Sequence, residues 1–432
     1  MSISRLTLLL AGLIILLAIV GIWSAEPLQG FWRWPAALLI TLVAWERFRL
    51  TDNIALRREI PATLALGEAI VYAVQASNRA GSSVRFETQS DYPTAIAGDN
   101  SLQHWRLSAH ETQSRQFSIT PTRLGVTTLG GLYLKQLGAF GLCWWTRRID
   151  DDIAIRIEPA RLKNVVDVSG MRQLGSRGSA QYHSSGVEFL DLSDYRRGDS
   201  LRSIDWKATA RRGRTMVRRF EREHLLEIAV LIDCGLSSRV QCEQMDRLHH
   251  YINVAAKLTE FASYQGDRIA CLAYAQQTIA KAPMTGGMNS VKNIRQLLSQ
   301  LSVVNENANA LNAALEVKQL LKRRGLVIFL TELEQPEAAL QLVQAGKLLS
   351  AKHQVLIATL EEPAIGHDLK QRSRYWQDPY RQFAVLEYLH GRELTRKRLQ
   401  SAGVAISSAT ALHLDSRVLT YYRDKRDAIG AA

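Results

Sequence analysis

Cysteine and proline are scarce, at four and ten in 432 residues. Cys143, Cys234, Cys242 and Cys271 stand apart, with no C-x-x-C pair. That spacing excludes a disulfide framework and a cysteine zinc site, and it suits a reducing compartment. Also missing are Gly-Lys-Ser/Thr, G-x-G-x-x-G, G-x-S-x-G and H-E-x-x-H. Nothing local therefore marks a phosphate-binding loop, a nucleophile elbow or a zinc peptidase, and the expected protein is not an enzyme. Acidic residues are outnumbered, 41 Asp and Glu against 54 Lys and Arg, leaving a net charge of +13. With 22% charged and 47% hydrophobic residues the chain can build packed cores, and its length calls for two or three domains.

The surplus positive charge is concentrated. Between Arg196 and Arg222 there are ten Lys and Arg against Asp199, Asp205 and Glu221, a net +7 in one connector. A basic stretch of this kind points to a polyanionic neighbour: nucleic acid, an anionic membrane surface or an acidic protein face. Aromatic residues for base stacking are sparse from Arg211 to Arg222, which counts against nucleic acid. The plainer expectation is scaffolding, with Asp199 and Asp205 pairing locally to basic neighbours and Trp206 anchoring the connector as a buried apolar side chain.

From the N-terminus, Leu6 to Trp23 is an uncharged run of 18 residues, within the ~17–25 that can cross a bilayer as a helix. Pro27 to Trp45 is interrupted only by Arg33, with tryptophans near its ends. Residues 1–50 are thus expected to form a transmembrane helical hairpin, with helices at about 6–23 and 28–46. Arg5, Arg47, Arg49, Arg57 and Arg58 flank it, so both termini and the large domains belong on the cytoplasmic side.

Residues 51–159 change character. Ala69 to Val74, Val84 to Thr88, Arg115 to Ile119, Val126 to Leu129 and Ile153 to Ile157 are short β-branched runs separated by Asn78, Gly81, Pro93, Gly98, Pro121 and Gly125. They predict a small antiparallel β-sandwich with an interaction or spacer role. Residues 160–225 form the connector. From 226 to 432, continuous apolar runs (Glu227 to Asp233, Arg268 to Tyr274, Leu326 to Thr331, Val355 to Leu360) alternate with amphipathic stretches such as Glu243 to Tyr264, Ala338 to Ala351 and Tyr380 to Ala402. That alternation predicts a doubly wound, Rossmann-like α/β domain with helices on both faces of a parallel sheet.

Ligands of such domains sit outside the carboxyl ends of the strands. The first run ends in Asp233-Cys234-Gly235-Leu236-Ser237, similar to the D-x-S-x-S adhesion site of von Willebrand factor A domains, where oxygen ligands hold Mg²⁺. The expected metal set is Asp233, Ser237, Asn309 and Glu332. It is degenerate: Gly235 replaces a hydroxyl, Asn309 stands where those domains use Thr, and Thr331-Glu332 where they use Asp. A working site would make the chain a Mg²⁺-dependent hydrolase, an alternative to the non-enzymatic reading. His249 and His250 are adjacent, so they do not share a helix face, and they are expected to be ordinary helix residues.

One constellation is more specific. Gly186-x-Glu188-Phe189, Tyr195-x-x-Gly198-Asp199, Arg202-x-Ile204-Asp205-Trp206-Lys207 and Ala210-Arg211 precede a strand ending in Asp, and Thr122-Arg123-x-Gly125 and Gly138-x-Phe140-Gly141-Leu142 lie upstream. Together they resemble the bacterial family catalogued as domain of unknown function fifty-eight over nearly the whole chain. The resemblance implies a protein anchored in the inner (cytoplasmic) membrane, with a von Willebrand A-like domain, no established enzymatic activity and a partner-binding role, the expected partner being a MoxR-type AAA+ ATPase of the kind often encoded beside the family. It also implies that the signature residues Gly186, Glu188, Phe189, Tyr195, Gly198, Asp199, Arg202, Asp205, Trp206, Lys207 and Arg211 serve interaction. The expected function is a membrane-anchored adaptor in the assembly or remodelling of complexes, with nucleic-acid or anionic-lipid binding through the arginines as the alternative.

Overall fold

A computed structural model describes residues 2–22, 30–48, 53–162, 188–196, 199–221, 225–333, 336–361 and 375–430. Gly186, Gly198 and Arg222 lie outside the described residues. The chain forms two compact units, Met1–Glu158 and Pro159–Ala432.

The first unit combines helices Arg5–Ile22 and Arg33–Phe48 with three sheets. The five-stranded sheet runs in the order Ser2–Ile3, Cys143–Ile149, Leu132–Leu137, Val84–Ser90, Gln103–Leu107, every pair antiparallel. A four-stranded sheet (Ile54–Glu59, Ile70–Asn78, Thr112–Pro121, Ile96–Gly98) and a three-stranded one (Thr63–Ala65, Ile153–Glu158, Gly125–Leu129) accompany it. Alternating burial along the strands supplies a core of Ile54, Ala76, Val84, Phe86, Trp105, Leu107 and Leu134, with the Phe86 and Trp105 rings stacked at 5.8 Å.

The expected membrane hairpin is overturned: no helix among the described residues is long and apolar enough to cross a membrane. At about 1.5 Å per residue, the 18-residue and 16-residue helices reach about 27 and about 24 Å, short of a hydrocarbon core of about 30 Å. The second ends in polar contacts. Glu46 is 1% exposed, and its carboxylate accepts from the backbone N–H of Phe140 (2.9 Å), Leu142 (3.4 Å) and Cys143 (3.1 Å). Trp45 stacks on Phe140 at 5.2 Å. Ser4 donates to the carbonyl of Gly141 (2.6 Å) and Thr7 to that of Leu142. The start of the first helix and the end of the second are thus held by one loop, 138–142, while Leu8, Leu9, Leu13 and Ile15 are exposed. The two-span inner-membrane location and the anchored-adaptor function fall with the hairpin.

The second unit is built on a six-stranded sheet. Its strands are β1 (Glu227–Asp233), β2 (Arg268–Tyr274), β3 (Thr278–Gly286), β4 (Leu326–Leu330), β5 (Gln354–Leu360) and β6 (Ala405–Ala409), in the order β3-β2-β1-β4-β5-β6. All neighbours are parallel except β2 and β3. Every residue of β1 and β4 is buried, as strands covered on both faces require. Helices α1 (Arg247–Tyr264), α2 (Met288–Leu298), α3 (Ala310–Leu320), α4 (Pro336–Ser350), α5 (Asp378–Ser401) and α6 (Leu414–Gly430) supply the cover. Ala229, Leu231, Val327, Phe329, Val355 and Ile357 pack with Ala313 and Val317 of α3, Leu342 and Leu349 of α4 and Leu399 of α5. Phe261 of α1 meets Tyr422 of α6 edge-on at 5.5 Å. The sheet order reverses between β1 and β4, which makes the carboxyl ends of these two strands the place to look for a site.

Candidate functional site

Two places collect the residues singled out by sequence. At the switch point, Asp233 ends β1, 2% exposed. Its Oδ1 accepts from the Gly235 N–H (2.8 Å), and its Oδ2 from the hydroxyls of Thr331 (2.6 Å) and Ser237 (3.3 Å). Gly235 is needed by packing: a Cβ there would lie 2.9 Å from both the Ala308 nitrogen and the Glu306 carbonyl. Leu236 N–H donates to that same carbonyl at 2.9 Å, and Val304 N–H to Cys234 O at 2.8 Å. Residues 304–308 thus lie over the end of β1. Burial raises the Asp233 carboxyl above its ordinary 3.8, with Thr331, Gly235 and Ser237 pulling the other way.

Glu332, next to Thr331, serves a separate cluster. Its Oε1 accepts from the Tyr251 hydroxyl and the Leu360 N–H (3.0 Å), and its Oε2 from Thr359 (2.6 Å). Arg392 of α5 stands 4.0 Å from Oε2 and donates to Leu360 O at 3.3 Å. Burial raises the Glu332 carboxyl, opposed first by the charge of Arg247 and then by Thr359, Tyr251 and Arg392. Asn309 joins neither cluster; it caps α3, accepting from the Asn312 N–H at 3.1 Å.

Of the expected metal set, then, Ser237 alone reaches Asp233, together with Thr331. A hard cation prefers several anionic or carbonyl oxygens open to it. Here both carboxylate oxygens of Asp233 already accept from protein donors, beneath a covering loop. Among the described residues no three His, Cys, Asp or Glu side chains gather where they could hold a metal ion. Asn309 and Glu332 thus do not gather with Asp233 and Ser237. His250 points its Nε2 at the Cys242 carbonyl (3.1 Å), and burial lowers its pKa.

The raised pKa of Asp233 has a measurable consequence. A carboxyl whose folded pKa is raised gives stability that is complete below the unfolded value, near 3.8, and is lost as pH rises through the folded value. Asp233→Asn is expected to remove that share of the decline. Urea denaturation of both proteins at pH 4.5 and pH 8 checks it: the loss of stability between the two pH values should be smaller in the variant, and an equal loss would count against it.

The connector forms the second place. Strand Glu188–Asp194 pairs antiparallel with strand Met216–Glu221. Between them lies helix Trp206–Arg212, capped by Asp205, whose Oδ1 accepts from the Ala208 N–H at 3.0 Å. Its Oδ2 accepts from Arg218 Nε at 2.9 Å, and this bond holds the Asp205 carboxyl below the ordinary range. Gly213 closes the helix at φ +67°. Tyr195 N–H donates to Thr215 O (2.9 Å), and Asp199 accepts from the Arg196 N–H (2.8 Å). The signature acids are therefore spent on local geometry. Trp206 corrects the expectation of a buried anchor, since it is 70% exposed, as is Leu201. Arg202, Lys207, Arg211 and Arg212 are exposed and, among the described residues, make no ion pair. Glu188 and Phe189 lie in the first strand, paired with Glu221 and Phe220.

Tyr251, Arg247, Thr359 and Arg392 were missed by sequence reading. The only local signal was the i, i+4 spacing of Arg247 and Tyr251 on α1, which places them on one helix face.

No protein with a curated description matches the chain. Among solved structures, the chain is similar to the PapD-like domain 7 of human CEP192 (11% identity, 26% of this chain and 88% of that one, TM-score 0.19). It is also similar to alpha-2-macroglobulin of E. coli (9%, 36% and 9%, 0.21) and a FixG-related protein from Vibrio parahaemolyticus (9%, 25% and 98%, 0.18). Scores this low carry no weight for fold or function. The resemblance read from sequence over nearly the whole chain narrows to part of it, and among the described residues no helix is long and apolar enough to cross a membrane. Residues 191–367, from the connector hairpin through β5, match the family described as "Protein of unknown function DUF58".

Proposed function

We propose that the chain is a non-enzymatic interaction protein that docks through its connector hairpin onto an acidic face of a protein partner, a MoxR-type AAA+ ATPase being the candidate named by the family resemblance. The observation that carries this reading is the exposure of Trp206 and Leu201 in the same segment as four exposed basic side chains that make no ion pair among the described residues. Exposed aromatic side chains with arginine are the usual anchors of protein interfaces. Asp199 holds backbone geometry, Asp205 caps the helix and pairs with Arg218, and Asp194 pairs with Arg214, which among the described residues leaves Arg202, Lys207, Arg211 and Arg212 without a carboxylate partner. At the sheet edge, Asp233 and Glu332 are satisfied by protein donors, which supports a structural role for them and no hydrolysis.

Two measurements test the reading. Calorimetry of the full chain with Mg²⁺ or Mn²⁺ is expected to show no saturable heat; tight binding would favour the hydrolase alternative. In affinity purification with the ATPase, Arg211→Glu/Arg212→Glu should lower recovery at least tenfold. If the double variant instead lost duplex DNA binding with a steep salt dependence while recovering the ATPase unchanged, the arginines would serve nucleic acid.

A further inference from the structure

The β-sandwich carries a second concentration of positive charge, unrelated to the connector. A recess of about 390 Å³ has Arg85, Arg106, Arg115, Glu87, His104 and Trp144 among its lining residues. Arg85 and Arg106 are direct cross-strand partners on Val84–Ser90 and Gln103–Leu107, and both are exposed. Like charges placed opposite each other weaken a strand pair. Among the described residues no carboxylate relieves this one. Glu87 is held by Lys135 at 3.4 Å and His104 at 3.2 Å. The third guanidinium, Arg115, comes from the other sheet and lies over the Trp105 ring at 4.6 Å. Gln113 beside it keeps a buried amide oxygen with no hydrogen-bond partner. Arg85 and Arg106 thus form an exposed cationic pair on the outer face of the sheet, while Arg115 stacks on the inward-facing Trp105.

The strand that brings Arg106 here, Gln103–Leu107, is the edge of its five-stranded sheet. A charged side chain on an edge strand is a common guard against unwanted pairing, but a guard requires one cation. It does not explain two facing arginines on adjacent strands.

We propose that this recess and edge bind an extended acidic peptide segment. Its backbone adds to Gln103–Leu107, and the carboxylates on one face of the added strand meet Arg85 and Arg106. Bidentate guanidinium–carboxylate contacts give the charge preference, and strand addition gives the orientation.

The test uses the full chain and a fluorescein-labelled octapeptide alternating glutamate and valine, followed by fluorescence anisotropy at low salt. Saturable binding is expected, weakened more than tenfold by Arg85→Gln/Arg106→Gln and by N-methylation of alternate amides in the peptide. Arg106→Glu should shift preference toward the lysine–valine peptide, which keeps the test meaningful if the double variant is poorly folded. Absence of binding, or equal affinity for the double variant, overturns the proposal. So does an N-methylated peptide that binds as well as the parent. Displacement by free glutamate or inorganic phosphate at comparable concentration would mark a small-anion site and overturn it too.

Discussion

Replacing Glu332 by Ala is expected to lower the thermal transition of the α/β unit by about 6–20 °C. The side chain is 5% exposed and receives Tyr251, Thr359 and the Leu360 N–H, with Arg392 at 4.0 Å. Removing one member of a buried charged network strands the others, at a cost of about 3–5 kcal/mol. For a unit of this size each kcal/mol moves the transition by about 2–4 °C. Glu332→Gln keeps an acceptor for the Leu360 N–H and should cost less than half as much. Differential scanning calorimetry of the full chain reads both, with the transition of the β-sandwich as an internal reference. A shift below about 2 °C for Glu332→Ala would mean that the cluster does not hold the strand ends together.

Gly138→Ala is expected to be comparably damaging, for steric reasons. A Cβ at this position would sit 1.9 Å from the Glu46 carboxyl carbon. To make room, Glu46 must leave the N–H groups of Phe140, Leu142 and Cys143. Each buried donor left without a partner costs about 1–3 kcal/mol, so the loop that holds both N-terminal helices should loosen. Glu46→Ala loses the same bonds without the clash. The double variant should therefore be no worse than Glu46→Ala alone, a strong departure from additivity. Chemical denaturation of the three variants decides it. Additive losses would show that Gly138 and Glu46 act independently.

The same pair shows what was legible in sequence. Gly138, Phe140, Gly141 and Leu142 stood out as a motif, but their reason lies 92 to 96 residues upstream in Glu46, which no local pattern announces. β1 and β4 were legible because burial on both faces writes a continuous apolar run. β3 was not, because an edge strand carrying Lys281 and Pro283 lacks that run. Cys143–Ile149 was missed because Arg147 takes an inward position where the alternation calls for an apolar residue, and Gln103–Leu107 because it is too short to announce its alternation.

The candidate site divides in the same way. Asp233 was found from its place at a strand end. Tyr251 and Arg392 were not, because a cluster assembled from α1, β4, β5 and α5 has no spacing of its own in the chain. Length misled at the N-terminus. An 18-residue apolar run met the lower limit for a span, yet the contacts of its neighbour, through Glu46 and Trp45, are with the sandwich loop. In the connector, composition predicted an exposed basic surface, and hydrophobicity wrongly predicted a buried Trp206. The helix Trp206–Arg212 buries none of its residues, so its first side chain points outward.

That exposed tryptophan gives the central claim its most direct test. The affinity of the full chain for the purified MoxR-type ATPase is measured by surface plasmon resonance, with wild type and Trp206→Ala side by side. An exposed side chain can be removed with little effect on folding, whereas loss of an interface anchor is worth about 2 kcal/mol or more, about thirtyfold in affinity. Docking through the connector predicts a loss of that size at an unchanged melting temperature. Equal affinities for the two proteins would contradict it.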